Sequence, residues 1–269
     1  MNANTETGAA NTPHAADPAR GHVAFVGAGP GNPDLLTLRA LRAIEAAEVI
    51  IHDRLVTPDI LALANPGTEL INVGKEGFGP STPQVEITAL IVAFGLRGVQ
   101  VVRLKGGDAT VFGRLDEEIE AVEATGLDWS VIPGITAASA SVAAIGQSLT
   151  KRGRNTSVRL LTGHDMKGFA DHDWAALARP GEVAAIYMGK KSARFIQGRL
   201  LMHGADSTTP VTVVENASRP DERILASTLG TLPADLADAG MNGPALTLFG
   251  LAPRAARATL PHLTEQEFA

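Results

Sequence analysis

The first half of the chain alternates short apolar runs with helix-like segments, and no other feature restricts its fold as strongly. HVAFVG reads as a strand, VIIHD as a second and LINVGK as a third. VQVVRLKGGD opens as a nearly continuous apolar run, the pattern of a strand covered on both faces of a parallel sheet. Helix signals separate these runs. Asn32 can cap the helix after the first strand, with Pro33 at its first position, where no N–H is missed. STPQVEITALIVAFGLRG has Thr82 as a cap, Pro83 at the first position and a glycine stop. RLDEEIEAVEATG is a further helix. This βαβα order predicts an α/β layer on a mainly parallel sheet.

The texture changes after VIPGITAASASVAAIG. SVRLLTG, EVAAIYMG, TPVTVVEN, ERILASTLG and PALTLFG read as strands with fewer helices between them, SARFIQGRLLMHG being the clearest. Neighbouring strands late in the chain predict a mixed sheet. The change places a domain boundary near Pro133. An N-terminal α/β domain would span 21–133 and a C-terminal α/β domain 134–254, with the ligand cleft between them. Residues 1–20 are polar and alanine-rich, without the basic start and apolar core of a signal peptide, and read as a disordered tail. Residues 255–269 read as a second tail.

Composition narrows the chemistry. The chain is 45% hydrophobic over 269 residues, enough for sizeable cores. Its net charge of −6 argues against a general grip on nucleic acid. With no cysteine, thiolate catalysis, disulfides and cysteine-held metal are excluded. No run approaches the roughly 18 apolar residues of a membrane span, so no membrane is expected and the cytoplasm is the default compartment.

Five stretches carry possible chemistry. VAFVGAGPGNPDLL begins like a dinucleotide fingerprint, with Gly27 and Gly29 in the first two places. The third place falls on Asn32, and Gly31 comes one residue early. Pro30 also removes a backbone donor that a pyrophosphate cradle would use. The loop is therefore either a modified nucleotide loop, with Asp53 on a ribose, or a tight turn needing small residues. In RLKGGDATVFGR, Gly106 and Gly107 let backbone approach a ligand closely. Asp108 then stands at a strand's C-terminal end, where ligands bind in open α/β sheets, or it caps the following turn. In PGITAASA, Thr136 can cap a helix through its hydroxyl, and the small residues after it allow close packing. Lys151, Arg152 and Arg154 form a basic cluster in an acidic chain, either solvated surface or a docking point for an anionic small molecule. His164, Asp165, His172 and Asp173 lack H-x-x-x-H spacing, and no metal is expected.

Taken in order, VGAGPGNPDLLTL, HDRLV, VGK, RLKGGDATVFGR, IPGITAAS, YMG and VVEN resemble the tetrapyrrole methylases that use S-adenosylmethionine. The resemblance runs from about Gly21 to about Arg254 and is strongest to the uroporphyrinogen-III C-methyltransferases. RLKGGD with FGR behind it is its most specific element. It implies two α/β domains with the methyl donor between them, a homodimer, and methylation of uroporphyrinogen III at C2 and C7. Pro30, Gly106, Gly107, Asp108, Val111, Thr136, Ala137, Met188 and Ala217 would meet the donor. Asp53 would accept a proton and Lys75 donate one. Arg114, Glu117 and Arg152, with Met188, would face the tetrapyrrole. On this reading the glycine-rich loop is the floor of the cleft, where Pro30 touches the donor.

The chain departs from the family in three places. Ala109 replaces a proline in GGDPF, Leu115 and Asp116 replace two glycines in RGGEE, and Lys151 replaces a histidine in THR. The dehydrogenase–ferrochelatase module that such enzymes often carry has no counterpart, so a single-function enzyme is expected. The other readings are a methylase of a later corrin precursor, a nicotinamide-dependent oxidoreductase, and a tetrapyrrole-binding protein without activity.

Overall fold

The computed structural model describes residues 21–74, 82–165 and 168–254. Lys75 and both expected tails, 1–20 and 255–269, lie outside the described residues. The first half builds five strands: β1 (His22–Gly27), β2 (Val49–His52), β3 (Glu69–Asn72), β4 (Gln100–Lys105) and β5 (Asp128–Ile132). They form one sheet in the order β3-β2-β4-β1-β5, and every pairing is parallel, not merely most of them.

Helices on both faces explain the apolar runs. α1 (Leu38–Ala46) and the short α2 (Pro58–Leu61) cover one face. There Ala40, Ile44 and Ile60 pack against Ala24, Val26, Ile50, Val102 and Leu104. α3 (Gln84–Leu96) and α4 (Leu115–Glu123) cover the other. There Ile87, Ile91, Phe94 and Val122 meet Val23, Phe25, Ile51 and Val101. Successive strand residues point to opposite faces, so β1 must be apolar at every inner position. The chain after β1 leaves toward one face and the chain after β4 toward the other. These neighbouring strands therefore frame a crevice at their C-terminal ends.

Two helix starts differ from expectation. Asn32 caps only a 3-10 turn at Pro33–Leu35, its Oδ1 accepting from Asp34 N at 2.9 Å. Thr37 caps α1, its Oγ1 accepting from Ala40 N at 3.1 Å. Pro33 still stands at a first position, but the turn closes before a full α-helix can propagate. At α3 the cap is Pro83 rather than Thr82, because the carbonyl of Pro83 takes the first helical N–H groups, those of Glu86 and Ile87.

The second half holds β6 (Arg159–Thr162), a two-stranded hairpin of β7 (His164–Asp165) and β8 (Gly168–Phe169), then β9 (Ala184–Tyr187), β10 (Pro210–Glu215), β11 (Arg223–Thr228) and β12 (Ala245–Phe249). Five of them form a mixed sheet, β11-β10-β12-β9-β6, in which only β6 and β9 run parallel. α6 (Trp174–Leu177), α7 (Ala193–Met202) and α8 (Leu232–Ala239) cover one face. α5 (Ala137–Ala144) covers the other, with Ala138, Val142 and Ile145 against Ala185, Val214, Leu246 and Leu248. Although α5 follows the first sheet directly in sequence, it packs on the second. Its small side chains allow that close approach.

One charged cluster interrupts the first core. Arg103 and Lys105 on β4 point toward α4, where Glu118 is fully buried. Glu118 accepts from Arg103 Nε at 3.1 Å, Lys105 Nζ at 2.8 Å and Gln84 Nε2 at 3.0 Å. Burial lowers the pKa of the Lys105 ammonium, against the opposing pull of Glu118. Removing one member of such a cluster leaves buried charge without a counter-ion. Glu118→Ala is expected to cost about 3–5 kcal/mol of unfolding free energy, read from the urea midpoint. A loss below about 1 kcal/mol would show that the cluster does not hold α4 to β4.

Candidate active site

Three loops meet at the C-terminal ends of β1, β4 and β5, and they meet backbone to backbone. A Cβ on Gly27 would lie 2.5 Å from Gly134 N and 2.8 Å from Gly107 O. A Cβ on Gly134 would fall even closer to Gly107 O. Only glycine fits at this crossing. Beyond it, Gly29 N donates to Gly107 O at 3.0 Å and Gly107 N to Gly29 O at 2.7 Å. Gly107 has φ +74°, and a Cβ there would stand 3.9 Å from Ala137 N, beside the first turn of α5.

Asp53 follows β2. Its Oδ1 accepts from Leu55 N at 2.8 Å and its Oδ2 from Gly106 N at 3.3 Å. The carboxylate is thus held on the glycine loop by backbone donors. Asp108 folds back instead: its Oδ1 accepts from Thr110 N at 2.9 Å and from the Thr110 hydroxyl at 2.8 Å. That is an Asx turn, the turn-capping use of this residue. Ala109 is completely buried, and Val111 N closes the turn onto Asp108 O at 3.1 Å.

The hydroxyl of Thr136 does not cap α5. It hydrogen-bonds the Tyr187 hydroxyl, which also accepts from Ala138 N at 3.3 Å. The hydroxyl that could cap the helix is engaged by a partner from β9 instead. The Tyr187 ring packs 5.0 Å from Phe112, so the end of β9 touches the loop after β4. Met188 comes next, exposed and with φ +53°, while Ala217 is buried after β10. The same second-half loops rest on Glu215. It accepts from Gly243 N and pairs with Arg223 at 3.3 Å and Lys190 at 3.9 Å. Burial lowers the pKa of Lys190.

Arg114 and Glu117 line an open pocket of about 400 Å³ with Thr110, Phe112 and Gly113. They pair with each other: Arg114 Nε and Nη2 donate to the two Glu117 oxygens at 2.8 and 2.6 Å. The Arg114 guanidinium holds the Glu117 carboxyl below the usual carboxylate range. Arg114 itself has φ +54°, and α4 starts at Leu115. Asp116, Glu117 and Glu118 then occupy the first turn, where acidic side chains oppose the positive end of the helix dipole.

The structure thus joins Pro30, Asp53, Gly106, Gly107, Thr136, Ala137 and Met188 through neighbouring loops. Arg152 lies on an exposed turn. His172 Nε2 and His164 Nδ1 meet the carbonyls of Thr162 and Gly168 at 2.8 and 2.9 Å. Sequence reasoning missed Tyr187, Glu118, Glu215 and Arg219, which reaches Pro30 O and Leu55 O from the second half. A usable signal existed for three of them: Tyr187 stands inside the YMG stretch, Glu215 inside VVEN, and Glu118 at the end of RLDEE.

Comparison with known proteins places this geometry. The family model of Tetrapyrrole (Corrin/Porphyrin) Methylases matches residues 22–233. The Uroporphyrinogen-III C-methyltransferase of Paracoccus denitrificans is 45% identical over 232 residues, 86% of this chain and 80% of that protein. The Siroheme synthase of Methylococcus capsulatus is 45% identical over 234 residues, 87% of this chain but 49% of that protein. The chain therefore spans about half the length of the siroheme synthases it matches. Among solved structures, a uroporphyrin-III C-methyl transferase from Thermus thermophilus complexed with S-adenyl homocysteine superposes with a TM-score of 0.72. It is 37% identical, and the match covers 85% of this chain and 97% of that one. A cobalt precorrin-4 methyltransferase gives a TM-score of 0.76 at 26% identity, over 85% of this chain and 94% of that one. The chain belongs to the tetrapyrrole (corrin/porphyrin) methylases.

Proposed function

We propose that the protein methylates uroporphyrinogen III at C2 and C7 with S-adenosylmethionine, giving precorrin-2. The observation that carries this reading is the glycine crossing with Asp53 held on Gly106 N beside it. It is supported by the methyltransferase of Paracoccus denitrificans, which this chain matches over 80% of its length.

The cleft suits the donor. The space over Gly107 is one that a side chain would enter, and it opens toward the start of α5. Pro30, Gly106, Gly107, Asp108, Val111, Thr136, Ala137, Met188 and Ala217 would hold the donor. When bound, it supplies an activated methyl group and needs no metal to do so. The protein's own task is alignment, because fixing two reactants in a reactive geometry removes much of the barrier. Carbon methylation leaves a cationic macrocycle that must release a proton. Asp53, an acceptor held by two backbone donors, would take it, with Lys75 as the expected proton donor. Arg114 and Arg152 would pair with substrate acetate and propionate groups, for which the guanidinium fork is suited. Arg114 would then exchange its Glu117 partner for a substrate carboxylate, or bind through the edge left free. A cytoplasmic homodimer completes the proposal.

Anaerobic incubation with uroporphyrinogen III and methyl-labelled donor tests it. Two labelled methyl groups on the product are expected. Methyl transfer only to a later corrin precursor, or hydride transfer with a nicotinamide cofactor, would replace this reading. Asp53→Asn is expected to slow single-turnover transfer by about 10²–10⁴-fold, with donor binding retained. If the variant only melts earlier and its rate per folded molecule is normal, Asp53 is structural. Asp108→Ala is expected to weaken the donor by about 1.5–3 kcal/mol in calorimetry. An unchanged dissociation constant would confine Asp108 to its turn with Thr110.

A further inference from the structure

Gly31 is out of step with a nucleotide fingerprint, and the proposed reaction gives it no task. Its backbone has φ +141°. A Cβ on it would lie 2.6 Å from Nε and 2.8 Å from Cγ of Arg219. The glycine is the seat of a side chain from the other half of the molecule.

Arg219 follows β10 on a turn in which Asn216 and Ser218 both adopt left-handed backbone, φ +52° and +69°. Local carboxylates brace that turn: Asn216 Nδ2 donates to Asp221 at 2.7 Å and Ser218 N to Glu222 at 2.7 Å. From it, Arg219 Nε donates to Pro30 O at 3.3 Å and Nη2 to Leu55 O at 2.8 Å. Ser218 Oγ accepts from Asn32 N at 3.2 Å. Three hydrogen bonds thus cross from the second half onto the loops after β1 and β2. Those two loops are themselves tied, Thr57 Oγ1 donating to Gly31 O at 2.7 Å. Leu55 connects them to the third loop. Its backbone N–H holds Asp53, and its Cβ is so close to Gly106 that a side chain there would meet it at 2.6 Å. Arg219 is half-buried, and burial lowers its pKa.

We propose that Arg219 is a positioning residue that seats the second half on Gly31 and fixes the Pro30 loop against the Asp53 turn. Resting on the methyl-transfer reading above, its consequence is a set distance between the bound donor and the carboxylate that takes the proton. A lysine cannot substitute, because two carbonyls on separate loops are met by two N–H groups of one planar fork.

The test compares the full chain with Arg219→Lys and Arg219→Ala by two readouts. The first is amide hydrogen exchange without ligand. Both variants are expected to speed exchange at Asn32 and Leu55 by about tenfold, with the amides of β1 and β10 unchanged. The second is methyl transfer to uroporphyrinogen III. There kcat is expected to fall by about 10–100-fold while the tetrapyrrole KM stays near its original value. A merely structural contact would lower the melting temperature and leave kcat per folded molecule intact, which overturns the proposal. So does normal exchange at Asn32 and Leu55, or full recovery of both readouts by lysine. If Arg219→Ala does not fold, Arg219→Lys decides the matter. If the unaltered chain transfers no methyl group, the methylation reading has failed by itself, and the exchange readout alone decides whether Arg219 locks the loops.

Discussion

The site depends on three residues that have no side chains. Gly27, Gly107 and Gly134 bring the loops after β1, β4 and β5 within backbone contact, and any Cβ at Gly27 or Gly134 would collide with the neighbouring main chain. Everything else at the cleft follows from that approach. The Gly29–Gly107 bridge can form only because the loops already touch. It holds the chain after β4 over the end of β1, at the crevice where the connections diverge to opposite faces. Asp53 then finds Gly106 N within reach, and α5 begins beside Gly107. A loop of larger residues would keep these strands and lose the cleft.

Charge is used to fix the loops that the glycines leave pliable. Among the described residues, each half buries one glutamate that meets two cations: Glu118 with Arg103 and Lys105, Glu215 with Lys190 and Arg223. Both clusters sit next to cleft segments. Lys105 directly precedes Gly106, Lys190 follows Met188 by two residues, and Glu215 precedes Ala217 by two. Apolar residues of similar volume could give comparable stability at such places. What an ion cluster adds is direction, since each partner must meet a particular oxygen. The loops inherit that register, and Arg219 extends it across the cleft.

Much of the fold was legible because it rests on local periodicity. The apolar runs gave four of the five strands of the first sheet, all but β5, and the five strand-like stretches of the second half form its mixed sheet. Legibility failed where partners are remote. Asn32 looked like the cap of α1, but Thr37 took that place and Asn32 N found Ser218, 186 positions away. Thr136 looked like a side-chain cap, yet its hydroxyl meets Tyr187. Arg103 and Lys105 were read as part of an apolar run, since nothing nearby announces that Glu118 will meet them. Asp108 carried two readings, and the turn with Thr110 is the one its side chain adopts in this structure. Gly31 was visible as an anomaly, but its cause lies on the opposite half.

On the proposed reading, the methyl donor lies where the three glycine loops cross and the second half closes over them. Hydrogen exchange measured with and without S-adenosylhomocysteine tests this most directly. Slowed exchange is expected at the amides of Gly29, Gly107, Ala137 and Ala217, with the outer strands β3 and β11 unaffected. Protection confined to other surfaces, with no change at Gly107 or Ala137, would contradict it.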